Sequence, residues 1–546
     1  MPPRIGLSWL RTPPRAYVCQ RCARAAGRPF STSRPRRQSV LSLLEERGYV
    51  HQIAGDRNAL DTLLETRTTG FYAGVDPTAP SLHLGHLLPY MVLFWLYHHG
   101  HHVVSLVGGA TATVGDPSGR LTSRAKTNAA AIQRNFDAMF AQMEMLWVNV
   151  GRYGERHGLQ HRRGLGRREV LNNAAWLNGL NVLQFLSMMG NGARLGAMLS
   201  RDTVKNKMDK GDGMSFAEFT YPLLQAWDWW HMYEEKGVQV QVGGGDQYGN
   251  IIAGIDAVKY IAQAHATKGS VVEQWLDTEG KLPHDRTPMG LTVPLLTTSS
   301  GEKFGKSAGN AIWLDAKMTS PFDLYGFLLR SADDDVERYL KLFTFVSMPD
   351  IASTMAEHRG NPGKRTAQHL LASEVLELVH GPEVAQKTRA EHEASRKLSL
   401  ESLSHTTAGE GEGEQLTAHD AASRTRLPKS LVYNTPFSRI LYHAGLVGTK
   451  SEGARTISKG GVYVATTTTA SPSNSTEEGG GQLNFVPLTK EQTAADVVTN
   501  GLIILRLGKW KVRVIEIVDD DAFDALLGND APPPGWMEWK AAGSKR

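Results

Sequence analysis

The sequence predicts an α/β protein: a mostly parallel sheet domain, then a helical module, then a small unit that mixes helices and strands. Three observations carry this. Apolar runs of strand length alternate with longer helical stretches between residues 70 and 296, the pattern of a parallel sheet covered on both faces. Helical periodicity takes over at 323–330, 331–345 and 367–379. An acid-rich polar stretch, 401–420, reads as a flexible linker, and strand-like sequence resumes at 502–507 and 511–517. A chain of 546 residues can bury several such cores.

In chain order, 40–46 and 58–65 are short helices, 70–75 a strand, 84–98 a helix, and 102–107 a second strand ending in Gly108-Gly109. The stretch 151–166, rich in Arg, His and Gly, reads as a surface insertion, and 172–206 as helical. Helix 216–233, strand 238–242, helix 247–262 and strand 292–296 complete the alternation. The expected divisions are a leader (1–38), the sheet domain (39–315), the helical domain (316–400), the linker (401–423), the third unit (424–520) and a tail (521–546). The third unit is basic: residues 424–465 hold seven Lys or Arg against Glu452 alone. A Thr/Ser/Gly run, 466–481, is inserted in it and cannot form a core.

Composition is that of an ordinary globular protein, with 41% apolar and 21% charged residues and a net charge of +5. Residues 1–44, however, hold nine arginines and no acid. Such a leader resembles a mitochondrial presequence, which implies the matrix. Both cysteines, Cys19 and Cys22, lie within it. Their spacing mimics half of a zinc or redox site, but no second pair exists. No stretch reaches the roughly 20 apolar residues that cross a bilayer. Residues 87–97 come nearest, are broken by Pro89, and read as a buried helix, so no membrane insertion is expected.

Two segments suggest a nucleotide site. In Ser81-Leu82-His83-Leu84-Gly85-His86, Ser81 can cap a helix whose first turns hold His83 and His86 on one face. Gly85 leaves room for a base or sugar, and a helix N-terminus favours phosphates. Two histidines can stabilise charge growing on an α-phosphate. The same pair could be core histidines or a zinc half-site, but zinc needs further ligands that the motif does not supply. In Gly301-Glu302-Lys303-Phe304-Gly305-Lys306-Ser307, Lys303 and Lys306 can close over phosphates. A phosphate-loop reading fails because Ser300 occupies the place of its first glycine.

Together, His-Leu-Gly-His and Lys-Phe-Gly-Lys-Ser resemble the paired signatures of the class I aminoacyl-tRNA synthetases. The resemblance implies their Rossmann-like nucleotide-binding fold, with His83, Gly85 and His86 at ATP and Lys303 and Lys306 on a closing loop. The segment Tyr221-Pro222-Leu223-Leu224-Gln225-Ala226-Trp227-Asp228 is similar to a diagnostic element of the tyrosyl branch. Its polar residues fall at i, i+4 and i+7, on one helix face. A buried aspartate there is costly without a dedicated donor, and a substrate phenol or ammonium group is such a donor.

By that resemblance Tyr221 and Gln225 contact the amino group of tyrosine, and Asp228 and Tyr72 hold its phenol. Asp116 faces the α-ammonium, and Asp76 and Thr78 lie at the amino-acid and phosphate ends of the adenylate. Gly244, Asp246 and Gln247 fit ribose and substrate contacts. The implied reaction consumes ATP and L-tyrosine and charges mitochondrial tRNA(Tyr). Magnesium accompanies ATP, and no tightly bound protein metal is expected.

The order 441–447, 450–457, 460–464 is similar to an S4-type RNA-binding domain, which implies phosphate contacts from Lys450, Arg455 and Lys459. The resemblance further implies a homodimer, and some fungal mitochondrial members also bind group I intron RNA. Two readings compete. A tryptophanyl-type synthetase would share the nucleotide motifs without the Tyr72, Gln225 and Asp228 set. A mainly structural mitochondrial RNA-binding protein would need neither tyrosine nor ATP.

Overall fold

The computed structural model describes residues 38–122, 128–159, 164–297, 299, 306–307, 310–396, 424–466, 484–489, 491–499, 501–508, 511–526, 533–536 and 539–540. The leader with both cysteines, the linker, Lys303 and nearly all of 466–481 lie outside the described residues. The chain divides into two units: 1–319 with 331–371, and 320–330 with 372–546. The expected helical stretch 316–400 is therefore shared between them.

The first unit is built on a six-stranded sheet of β1 (Gln52–Ala54), β2 (Gly70–Val75), β3 (His102–Val107), β4 (Arg168–Asn172), β5 (Val238–Gly244) and β6 (Met289–Val293), in the order β1-β6-β5-β2-β3-β4. All pairs are parallel except β1 with β6. β2 pairs with β3 without a slip from Gly70↔His102 to Val75↔Val107. That register carries the ends of both strands, and the loops after them, to one edge, where open α/β sheets bind ligands.

Helices α1 (Val40–Arg47), α2 (Arg57–Thr66), α3 (Leu87–His98), α4 (Ala129–Arg156), α5 (Asp202–Lys210), α6 (Phe216–Lys236) and α7 (Tyr248–His265) accompany the sheet. α3 is apolar nearly all round and buries Leu87, Met91, Phe94 and Trp95, as its composition requires. α6 opens with a capping box, Ser215 accepting from Glu218 N and Glu218 accepting from Ser215 N, and closes on Gly237 in the left-handed conformation.

Three sequence expectations need correction here. The supposed insertion at 151–166 begins inside α4, a helix of 28 residues that runs to Arg156. Val150 and Tyr153 are buried there, and the Tyr153 hydroxyl accepts from Phe345 N at 3.2 Å. Gly151 and Gly154 gave that helical turn the look of a loop. β4 opens just before the stretch read as wholly helical, and its five residues are half-buried, as at a sheet edge. β6 lies earlier than expected, with Pro294 immediately beyond its last residue.

The sequence after the sheet forms α8 (Pro321–Leu329), α9 (Asp333–Phe343), α10 (Met348–Gly360), α11 (Thr366–His380) and α12 (Pro382–Arg396). Within the second unit a five-stranded sheet combines β7 (Arg424–Pro428), β8 (Val462–Thr466), β9 (Asn484–Pro487), β10 (Leu502–Leu507) and β11 (Lys511–Val518) in the order β9-β8-β10-β11-β7. Against one face lie α13 (Lys429–Asn434), α14 (Phe437–His443) and α15 (Lys450–Ser458), with Leu431, Ile440, Leu441, Ile457, Val462, Ile503 and Ile515 in a shared core. The expected tail belongs to that core: Phe523 and Trp536 pack in it, with rings 4.8 Å apart.

Candidate active site

At the carboxyl edge of β2, β3 and β5 lies a cavity of about 530 Å³. The residues expected to touch tyrosine or ATP that line it are Tyr72, Asp76, Thr78, His83, Gly85, His86, Asp116, Tyr221, Gln225, Asp228, Gly244, Asp246 and Gln247. The sheet register brings the members of this set together from β2, α6 and the end of β5.

At the buried end of the cavity, Asp228 on α6 is 3% exposed. Its Oδ2 accepts from Asn173 Nδ2 at 3.0 Å and its Oδ1 from Trp176 Nε1 at 2.7 Å. The carboxylate thus has two dedicated donors from the protein itself. Burial pushes the Asp228 carboxyl up to about 7, against the two hydrogen bonds, which hold it down, while the Asp76 charge raises it further. Tyr72 on β2 is 1% exposed, and its hydroxyl has no partner among the described residues. Burial and the nearby Asp228 charge hold that phenol well above its usual range, so it is a neutral donor.

A second carboxylate, Asp76, accepts from Thr111 Oγ1 at 2.7 Å and from the Tyr221 hydroxyl at 2.8 Å. Gly108 makes this approach feasible, since a Cβ there would fall 2.1 Å from Asp76 Oδ1. Asp116 accepts from Gln247 Nε2 at 2.7 Å and from Ser118 N at 2.9 Å. Gln247 in turn accepts from Gln225 Nε2 at 3.3 Å, and Asn250 donates to both glutamines. One polar chain thus joins α6, α7 and the loop after β3. With Asp76 and Asp116 in it, this part of the cavity wall can hold a cationic ammonium group.

The histidine motif differs from its expected form. Ser81 caps no helix: it is buried, donates to Leu82 O at 2.7 Å and accepts from Asp315 N at 3.1 Å. A 3-10 turn at Leu84–His86 precedes α3, so residues three apart eclipse instead of stepping round an α-helix. The His83 and His86 rings consequently stack, 3.6 Å between centroids. His86 Nδ1 accepts from His83 N at 3.2 Å, which leaves the proton of a neutral His86 ring on Nε2. A Cβ at Gly85 would lie 3.0 Å from the His83 ring, so the glycine makes room for its own neighbour.

Lys303 lies outside the described residues, and for Lys306 the backbone alone is described. Lys306 pairs with Ala311 in a two-residue ribbon, and Ala311 lines the cavity. The chain then runs beside the histidine motif: Leu84 N donates to Ile312 O and Leu314 N to Leu82 O, each at 2.8 Å. The end of the lysine motif therefore adjoins the segment bearing His83 and His86.

The sequence reading missed Thr111, Asn173, Trp176, Gln241 and Asn250. Asn173 follows β4 directly, so recognising that strand would have placed it at the ligand edge. Among the described residues no group of three or more His, Cys, Asp or Glu could hold a metal ion. In the second unit Lys450, Arg455 and Lys459 are exposed on and just after α15.

The family of tRNA synthetases class I (W and Y) matches residues 64–396, and the tyrosyl-tRNA synthetase C-terminal domain matches 415–538. The mitochondrial tyrosine–tRNA ligase of Podospora anserina is 43% identical over 496 residues, covering 89% of this chain and 75% of its own. The mitochondrial tyrosine–tRNA ligase of Saccharomyces cerevisiae is 34% identical over 516 residues, covering 94% and 95%. Among solved structures, a C-terminally truncated Aspergillus nidulans mitochondrial tyrosyl-tRNA synthetase shares 46% identity at a TM-score of 0.60, over 66% of this chain and 95% of that one.

Proposed function

The chain belongs to the class I tRNA synthetases (W and Y), and from this premise we propose how its cavity works. It acts as a tyrosine–tRNA ligase of mitochondria, with tyrosine, ATP and tRNA as reactants. Tyrosine enters with its phenol between Tyr72 and Asp228. Its hydroxyl donates to the carboxylate and accepts from Tyr72, while its ammonium group faces Asp116, Tyr221 and Gln225, with Asp76 and Gln247 bonded to that set.

The tyrosine carboxylate attacks the α-phosphorus of ATP, forming tyrosyl-adenylate and releasing pyrophosphate. His83 and His86 donate to phosphate oxygens as their charge grows, Thr78 adds a hydroxyl donor, and Gly244 and Asp246 hold the ribose. Lys303 and Lys306 close on the β- and γ-phosphates, with magnesium carried in as part of the nucleotide. The terminal ribose hydroxyl of tRNA then attacks the activated carbonyl and AMP leaves. No side chain becomes covalently bonded, so rate rests on positioning and electrostatics.

The observation that carries this reading is a buried carboxylate, fixed by two N–H donors, that shares a cavity with a tyrosine hydroxyl unpartnered among the described residues. Phenylalanine would leave the Tyr72 hydroxyl without an acceptor and bring Asp228 no third donor, the basis of rejection without editing for which tyrosyl enzymes are the reference case. Amino-acid-dependent ATP–pyrophosphate exchange across all twenty amino acids tests it. Tyrosine alone should support exchange, and exchange driven by tryptophan would overturn the reading.

The exposed Lys450, Arg455 and Lys459 support a tRNA phosphate contact on the second unit. Group I intron RNA would be a ligand of the same kind, separable because its binding requires neither tyrosine nor ATP. A homodimer is supported by exposed Val182, Leu183, Leu195 and Phe216, the last 79% exposed, close in sequence within the first unit. The arginine-rich leader supports delivery to the matrix.

A further inference from the structure

Gln241 takes no part in the mechanism above, yet it lines the same cavity and is 4% exposed. It stands on β5 directly beside Tyr72 on β2, the two being register partners in a parallel pair. Register partners point to the same face of a sheet. Both also carry an unpartnered buried polar atom, Gln241 Oε1 and Tyr72 Oη, among the described residues. Around them the wall is apolar: Trp229 stands edge-on to Tyr72 at 5.9 Å, and a Cβ built on Gly254 would lie 3.7 Å from Gln241 Oε1.

Leaving two buried polar atoms unsatisfied at one point is costly, so the site has a use for both. A count of protons at the phenol end identifies what is missing. Asn173 already donates to Thr111 and Asp228, and the Trp176 N–H goes to Asp228. Bound tyrosine brings one hydroxyl proton, which Asp228 takes. Tyr72 brings one, which the substrate oxygen takes. The two Nε2 protons of Gln241 cannot reach the oxygen of their own amide, which leaves Gln241 Oε1 and the Tyr72 hydroxyl without a partner among the described residues. One small two-proton donor satisfies both acceptors at once, and water is that donor.

We propose that Gln241 is a positioning residue of the phenol pocket, holding through one bridging water the Tyr72 hydroxyl with its proton aimed at the substrate oxygen. The chain of donors then runs in one direction, from water to Tyr72, from Tyr72 to tyrosine, and from tyrosine to Asp228. Gln241 touches no reacting atom, and its effect is on selection of the hydroxyl. The proposal rests on the reading of Tyr72 and Asp228 as the phenol end.

The test is a double-mutant cycle on tyrosine and phenylalanine activation, measured by pyrophosphate exchange with Gln241→Met, Tyr72→Phe and the double variant. Gln241→Met removes the amide, its acceptor and its N–H donors together, while keeping an unbranched chain of similar length. One lost hydrogen bond predicts a drop of about tenfold in kcat/KM for tyrosine, with the value for phenylalanine unchanged. In the Tyr72→Phe background the same change should cost less than about twofold, because the hydroxyl it orients is gone. Equal losses for both amino acids, or the full tenfold loss in the Tyr72→Phe background, would overturn the proposal. An unchanged tyrosine-to-phenylalanine ratio in Tyr72→Phe alone would instead overturn the phenol-end reading beneath it. A thermal midpoint for each variant excludes unfolding as the cause.

Discussion

The Trp176 indole N–H donates to Asp228 Oδ1 at 2.7 Å, tying the aspartate at the base of the cavity to the short helix after β4. Removing that donor with Trp176→Phe should withdraw about 1.5–3 kcal/mol from the charged carboxylate. Its pKa then rises above about 7. Tyrosine activation at neutral pH should fall, and its pH profile should move to higher pH. An unmoved profile would show that the indole does not tune the carboxylate.

The wild-type profile follows from the same group. Free enzyme needs Asp228 charged to receive the phenol proton, so kcat/KM for tyrosine should climb with pH and level off above about 7. Stability runs the other way. The folded pKa lies above the ordinary 3.8, so the stabilisation exists below that value and is lost as pH rises through about 7. Each pKa unit corresponds to about 1.4 kcal/mol. The thermal midpoint of Asp228→Asn relative to wild type should therefore increase from pH 5 to pH 8.

How much of this was legible in the sequence depended on how local the signal was. β2, β3 and β10 read correctly to the residue, because each is an apolar run bounded by glycine or polar residues. The residues that share the cavity could be singled out because their types and spacing are chemically constrained. α4 escaped, since its glycines imitate a loop, and with β4 unrecognised Asn173 and Trp176 could not be placed at Asp228. The His83–His86 stack depends on a 3-10 turn whose shape is set by backbone pairing with 312–314, a contact far away in sequence.

Arg47, 3% exposed, donates to Lys341 O at 3.1 Å and Thr344 O at 2.9 Å, and its guanidinium lies 4.4 Å over Trp95. The N-terminal helix α1 is thereby fastened to the end of α9. Arg47→Met should strand buried carbonyls and lower stability by about 2–4 kcal/mol. Urea unfolding would register this as a lower midpoint with an unchanged slope, and an unchanged midpoint would count against the clamp.

In the second unit, Gly453 lets α15 cross α14 closely: a Cβ there would fall 2.6 Å from Ser438 O. Backbone cannot yield as a side-chain tip can, so Gly453→Ala should cost about 1–3 kcal/mol. If this unit serves tRNA, charging of tRNA should weaken while pyrophosphate exchange persists. Equal loss of both activities would contradict that division.

The most direct test of the central claim is the ratio of kcat/KM for tyrosine to that for phenylalanine, compared between wild type and Asp228→Ala at pH 8. The account predicts at least a tenfold collapse of that ratio, because the group that receives the phenol proton is gone. A ratio that survives the substitution, with both substrates losing equally, would mean that Asp228 supports the fold and does not read the hydroxyl.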